Sequence, residues 1–239
     1  GGVCYFLWDK AHEGQCDFIS RIKDRESRSL RYLDEFEFII RDNIGIDIIH
    51  KVLSVEEKML SGNVLKVSPF GIRSYERGSK SPFKDCVTLI SSGGKGYIEE
   101  NKVIKNKDLI ENYKVCIGYL NPDRAGVNNA KDGMMNITTK VRVLDRNEVV
   151  TETYIIPYND SDKQKVINCA NYIRTKFTRF MVSLTLSSMH IAQSNFSFVP
   201  YQNFNNRWTD EKLYKKYNLN IEEIEYIESM IRTMEIDNG

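Results

Sequence analysis

No apolar run in this 239-residue chain approaches the roughly 20 residues needed to span a bilayer, which argues against a helical membrane protein. Cysteine is scarce. Cys4, Cys16, Cys86, Cys116 and Cys169 are odd in number, widely scattered and contain no Cys-x-x-Cys pair. That pattern speaks against a disulfide framework and a zinc site, and it fits a reducing cytoplasm. The three histidines, His12, His50 and His190, share no metal-ligand spacing, so surface or internally satisfied imidazoles are the default reading. There is no internal repeat, no low-complexity tract, no initiator methionine and no signal-peptide pattern. Gly1-Gly2 open directly into what reads as a strand, and a fragment of a longer protein is expected.

Neither sign of charge dominates: 34 Lys and Arg stand against 33 Asp and Glu, a formal net charge of +1. The distribution says more than the sum. Arg21, Lys23, Arg25, Arg28 and Arg31 cluster early, then Arg73, Arg77, Lys80 and Lys84, then Lys102, Lys105 and Lys107. Glu222, Glu223, Glu225, Glu228 and Glu235 gather acid near the C-terminus. Any one cluster is equally well read as solvated surface. With 41% apolar and 28% charged residues, the composition is ordinary for a globular chain, ample for one large or two small domains.

Val3 to Trp8 is unbroken apolar and aromatic sequence and reads as a buried strand, in which Tyr5, Phe6 and Trp8 serve as core. Cys16 to Ile22 alternates as a second strand. Asp42 can cap a helix through Ile46, Ile49 and Val52 that ends near Gly62, although Gly45 lies inside it. Ser68 to Ser81 is a loop, Cys86 to Ser91 and Gly96 to Glu99 are short strands around Gly93-Gly94, and Asp108 to Asn112 makes a helical turn. Tyr113 to Leu120 follows as a strand, and Asn121 to Gly133 is the most loop-like segment. Thr139 to Leu144 and Val149 to Ile156 suggest a hairpin about Asp145-Arg146-Asn147. After a cap at Asp160 or Ser161, the residues Val166, Ala170, Ile173, Phe177, Phe180 and Leu184 mark one long amphipathic helix, with Arg179 opposite the stripe. A last helix sets Ile221, Ile224, Ile227 and Ile231 against its glutamates. Strands and helices mix without βαβ alternation, which favours an α+β fold of largely antiparallel short strands, a long amphipathic helix and a C-terminal helical segment.

Several words in this order resemble the C-terminal part of adenine-specific DNA methyltransferases and fused restriction-modification enzymes. They are Gly1 to Asp9, Pro69-Phe70-Gly71, Gly96-Tyr97-Ile98, Tyr113-Lys114-Val115-Cys116-Ile117 and Thr151-Glu152-Thr153-Tyr154. Thr175-Lys176-Phe177-Thr178-Arg179-Phe180, Phe198-Val199-Pro200 and Trp208-Thr209-Asp210-Glu211 continue the series. The resemblance implies that residues 1–22 end the catalytic methyltransferase sheet and that residues 23–239 form a DNA target recognition domain. It implies double-stranded DNA and the catalytic portion of the same parent chain as partners, and no membrane. S-adenosylmethionine is implied for the parent and no cofactor for this fragment. The family's catalytic motif, Asn/Asp-Pro-Pro-Tyr/Phe, has only Asn121-Pro122-Asp123 as its nearest match, without the second Pro or the aromatic. Ser91-Ser92-Gly93-Gly94-Lys95-Gly96 is glycine-rich but lies between strands, as a hairpin turn would. The fragment alone is therefore expected not to methylate DNA.

If the chain reads DNA, base edges require loop-borne polar side chains, for which Arg73, Ser74, Arg77, Lys95, Asn128, Asn129 and Lys131 are the candidates. Lys102, Lys105, Arg174, Lys176 and Arg179 suit phosphates, which position the protein without specifying sequence. Trp208 reads as a buried anchor. Two other classes compete. Asp85, Glu100 and Lys102 stand in the Asp…Glu-x-Lys order of a Mg²⁺ nuclease, although Glu99-Glu100-Asn101-Lys102 reads naturally as a polar turn. The helical stripe or the acidic C-terminal helix could instead dock a partner subunit.

Overall fold

The computed structural model describes residues 4–22, 25–123 and 132–235. Among these, strands β1 (Cys16–Ile22) and β2 (Arg25–Arg31) form an antiparallel hairpin, and α1 (Asn43–Leu53) follows. β3 (Cys86–Ser91), β4 (Gly94–Glu99), β5 (Tyr113–Gly118), β6 (Arg142–Leu144), β7 (Glu148–Val150) and β8 (Tyr154–Asp160) make two three-stranded sheets. Their orders are β4-β3-β7 and β6-β5-β8, antiparallel except where β3 runs parallel to β7. Helices α2 (Lys163–Arg174), α3 (Lys176–Leu184), α4 (Asp210–Lys216) and α5 (Ile221–Met230) complete the chain, and the fold is α+β.

The alternation of side chains along a strand sets the layering. On β5, Val115 and Ile117 face one core with α2 and α3, while Cys116 faces a second core with Val87, Leu89 and Ile98. Ile155 and Ile156 of β8 divide in the same way. The middle sheet is thus covered on both faces, between an outer sheet and a helical layer.

Several expectations hold. β1, β3 and the Ser68–Ser81 loop are where the alternation and the turn residues put them. Asp42 caps α1, its carboxylate accepting from the Gly45 N–H at 3.2 Å. Gly45 is explained by packing: a Cβ there would overlap the Leu184 side chain of α3. The helix nevertheless ends at Leu53, well before Gly62.

Others are corrected. Residues 4–9 form no strand, since no neighbouring chain among the described residues offers them ladder partners, and Tyr5, Phe6, Leu7 and Trp8 are 73–96% exposed. The expected hairpin about Asp145-Arg146-Asn147 does not pair with itself. β6 joins β5 and β7 joins β3, so the short turn links two layers. The long helix is two helices, and its cap is Asp162, whose carboxylate accepts from the Gln164 N–H. At Thr175 the backbone turns to an extended ψ of 149°, ending α2 and capping α3 through its hydroxyl. Asp210 then accepts from the N–H groups of Lys176 (3.1 Å) and Phe177 (2.8 Å), supplying acceptors that a continuous helix would have provided from its own previous turn. The apolar stripe survives the break, with all six of its residues buried. Ile221 is exposed on α5 while Glu223 is buried in a capping box with Asn220, so that helix does not divide cleanly into Ile and Glu faces. Trp208 is half-buried, its indole N–H donating to the Asn203 carbonyl.

Lys114 of β5 carries the fold's least expected charge. It is fully buried, and its ammonium donates to the carbonyls of Ile110 (3.1 Å) and Asn112 (2.5 Å). Burial lowers its pKa to about 8 from the ordinary 10.5, against the pull of Glu148, Glu111 and Asp145. The unfolded chain binds this proton more tightly than the folded one. The cost is therefore full below about pH 8 and is relieved as pH rises towards 10.5. Urea denaturation at pH 8 to 10.5 should show wild type gaining stability relative to Lys114→Met. Parallel profiles would show that the charge is not desolvated.

Candidate nucleic-acid interface

The outer sheet gathers basic side chains that are far apart in sequence. Strand β4 lies at an edge, and the loop after Phe70 runs along it, with Ser79 and Tyr97 exchanging N–H···O bonds of 2.8 and 3.0 Å. Two glycines permit that approach. A Cβ on Gly96 would overlap the Arg77 carbonyl, and one on Gly78 would collide with the Tyr97 backbone. Gly78 also needs its positive φ of 70°. The Arg77 side chain then lies over the β3–β4 turn, where a Cβ on Gly93 would meet its Cδ and Nε at 2.7 Å. Farther along, Lys105 packs beside Gly71.

Arg73, Ser74 and Arg77 thus belong to the loop that borders β4, Lys102 reaches that loop at Glu76 and Lys105 lies beside its Gly71, while Lys95 on β4 reaches across β3 to Glu148; this loop and the β4 edge are the basic rim of the outer sheet. Carboxylates fix part of it. Arg73 pairs with Glu152 at 3.2 Å, Lys102 with Glu76 at 3.2 Å and Lys95 with Glu148 at 3.7 Å. Glu152 also accepts from the Ser74 N–H at 2.9 Å, and that bond, ahead of Arg73, holds its carboxyl below the usual carboxylate range. Burial works to raise the Glu76 carboxyl, but the Gly78 N–H and Lys102 outweigh it and leave it lowered. The guanidinium of Arg77 donates to the carbonyls of Ser74 and Glu76, so it is held over the turn by its own loop. Arg77 and Lys105 make no ion pair among the described residues. Their charges face solvent.

The remaining candidates are not on this rim. Asn128, Asn129 and Lys131 lie outside the described residues. Arg174, Lys176 and Arg179 belong to the helical layer, and two of them are corrected. Arg179 is 1% exposed, not opposite the buried stripe as the helical period suggests. Its guanidinium donates to the carbonyls of Arg174, Asn136 and Arg232, and burial lowers it to about 10. Those carbonyls hold it inside, away from any phosphate. Lys176 is tied to Glu228 at 2.5 Å with its side chain 13% exposed, which likewise leaves little of it for a ligand. Arg174 is half-buried and donates to the Val141 carbonyl at 2.7 Å.

For the nuclease order, the β3–β4 register pairs Cys86 with Glu99, so Asp85 and Glu100 come to the same open end of the hairpin. Both are exposed, and Lys102 is engaged with Glu76. Among the described residues, no group of three His, Cys, Asp or Glu side chains is placed to hold a metal ion. Burial of the six stripe residues within the chain removes that stripe as a subunit-docking face.

The acidic partners Glu76, Glu148 and Glu152 escaped the sequence reading. Gly71, Gly78, Gly93 and Gly96 are the one local signal that could have found this close approach of backbones, and it escaped that reading too. No protein-family model matches this chain, and no curated protein resembles it at a significant level.

Gly96→Ala should push the loop away from β4 and cost about 1–3 kcal/mol, the usual price of forced overpacking. Urea denaturation with amide exchange at Ser79 and Tyr97 checks this. Unchanged exchange protection would contradict the close approach.

Proposed function

We propose that this chain is the DNA sequence-recognition part of a restriction-modification enzyme. It binds duplex DNA so that catalytic parts of the same parent chain methylate adenine N6 or cleave. The observation that carries the reading is that Arg77 and Lys105 stand exposed on and beside the loop bordering β4, without an ion pair among the described residues, next to Arg73, Lys95 and Lys102, which carboxylates hold in place. Clustered positive charge on one face is what phosphate neutralisation requires, and a net charge near zero does not oppose it. A β-hairpin tip flanked by an anchored arginine has dimensions that suit the major groove, which admits a two-stranded ribbon.

The roles divide by anchorage. Arg77 is held by backbone carbonyls over the turn, which limits its reach to a defined place and suits readout of a guanine edge. Lys105 is an exposed point charge and suits a phosphate. S-adenosylmethionine belongs in this reading to the parent's catalytic portion, and cytoplasmic location follows from the same reading.

Binding isotherms on duplexes at several salt concentrations test it. Lys105→Ala should weaken binding to every sequence alike and lower the slope of log K against log salt by about 0.9. Arg77→Ala should relax preference at one position, losing about 1–3 kcal/mol of discrimination. Absence of duplex binding by wild type at low salt would remove the reading.

A further inference from the structure

The loop that borders β4 turns its side chains alternately to solvent and to the protein. Arg73, Tyr75 and Arg77 are exposed, while Ser74, Glu76 and Gly78 are half-buried. The inward positions are tied down. The Ser74 N–H donates to Glu152 at 2.9 Å, and the Gly78 N–H and the Lys102 ammonium each donate to Glu76 at 3.2 Å. The Glu76 N–H closes a turn on the Arg73 carbonyl at 3.1 Å. From the outward side, the Arg77 guanidinium reaches back to the carbonyls of Ser74 and Glu76, the residues on either side of Tyr75.

Tyr75 occupies the third position of this braced turn. It is 78% exposed, and among the described residues it makes no side-chain hydrogen bond, ring contact or cation contact. A single exposed aromatic is ordinary on a protein surface and by itself means nothing. Two observations set this one apart. Its backbone is fixed by its neighbours' bonds, so a partner meeting the ring has little of the turn left to order. Its flanks are cationic, with Arg73 before it and, after it, Arg77, which makes no ion pair among the described residues. An open aromatic face between two guanidinium groups matches a ligand that strings flat rings along a chain of negative charge, as a nucleic-acid strand does. An acidic peptide supplies the charge without the succession of flat faces.

We infer that Tyr75 is a stacking platform for an unpaired nucleobase, an inference that rests on the DNA-binding function proposed above. In an intact duplex every base face is covered by its neighbours. The ring finds a partner only where a step is opened, by a bulge, a mismatch or the extrusion of a base for chemistry. There it covers the bared face, with the Arg77 charge beside it.

Binding isotherms of the full chain on three labelled probes test this: an intact duplex, the same duplex with one bulged adenine, and the corresponding single strand. Wild type should bind the bulged duplex more tightly than the intact one. Tyr75→Ala should lose about tenfold on the bulged duplex, the contribution of one base–aromatic stack, and with it that preference. Tyr75→Phe keeps the face of the ring and should bind as wild type does. Neither variant removes a charge, so the slope of log K against log salt should stay unchanged, unlike that of Lys105→Ala. Both should unfold in urea at the wild-type midpoint, since the side chain is exposed. Equal binding of the bulged duplex by wild type and Tyr75→Ala overturns the stacking role and leaves the rim reading intact. A loss equal on intact and bulged duplex, or equal in the Ala and Phe variants, also overturns it, by marking a groove contact or a hydroxyl contact instead. Tyr75-dependent binding of the single strand without any duplex binding keeps the platform and removes the duplex reading. No binding of any probe removes both.

Discussion

Strand β5 has no face open to water, and the layers of the molecule are arranged around its burial. Val115 and Ile117 point to the helices while Cys116 points to the outer sheet. A strand buried on both faces must have all its polar atoms satisfied internally, and here β6 and β8 supply the ladder. The same enclosure explains Lys114, whose ammonium cannot reach solvent and donates to two carbonyls at the preceding turn. It also pushes the Cys116 thiol up to about 12, which makes that cysteine an inert part of the core.

Desolvation sorts the cations into three uses. Arg179 lies inside and joins backbone carbonyls from three stretches of chain, a role that suits a planar fork with several donors. Lys176 is held at the edge of the core by Glu228. Arg77 and Lys105 remain at the surface of the outer sheet, where a charge keeps its hydration and stays available to a partner. Exposed pairs such as Arg73 with Glu152 add little stability, on the order of 1 kcal/mol or less. Their effect is to orient the rim.

Much of the fold was legible one element at a time. The alternation of Cys16 to Ile22, the cap at Asp42 and the turn residues between Ser68 and Ser81 each depend on neighbours in sequence, and each lies where those neighbours put it. The site was legible in part. Arg73, Arg77, Lys95, Lys102 and Lys105 stood out as loop-borne cations, but nothing local indicated that Ser79 pairs with Tyr97 and brings them together.

What the sequence determined by itself was periodicity: which residues are apolar together, hence which faces of α2, α3, β3 and β5 must be covered. Only the tertiary structure decided what covers them. The stripe from Val166 to Leu184 is one line of apolar residues, yet it is carried by two helices, because Asp210 offers acceptors to the N–H groups after Thr175. β6 and β7 look like the arms of a hairpin, yet each pairs in a different sheet. In both cases local propensity differs little between the alternatives. The hydrogen-bond partners that separate them come from distant chain, and they exist only once the layers have assembled.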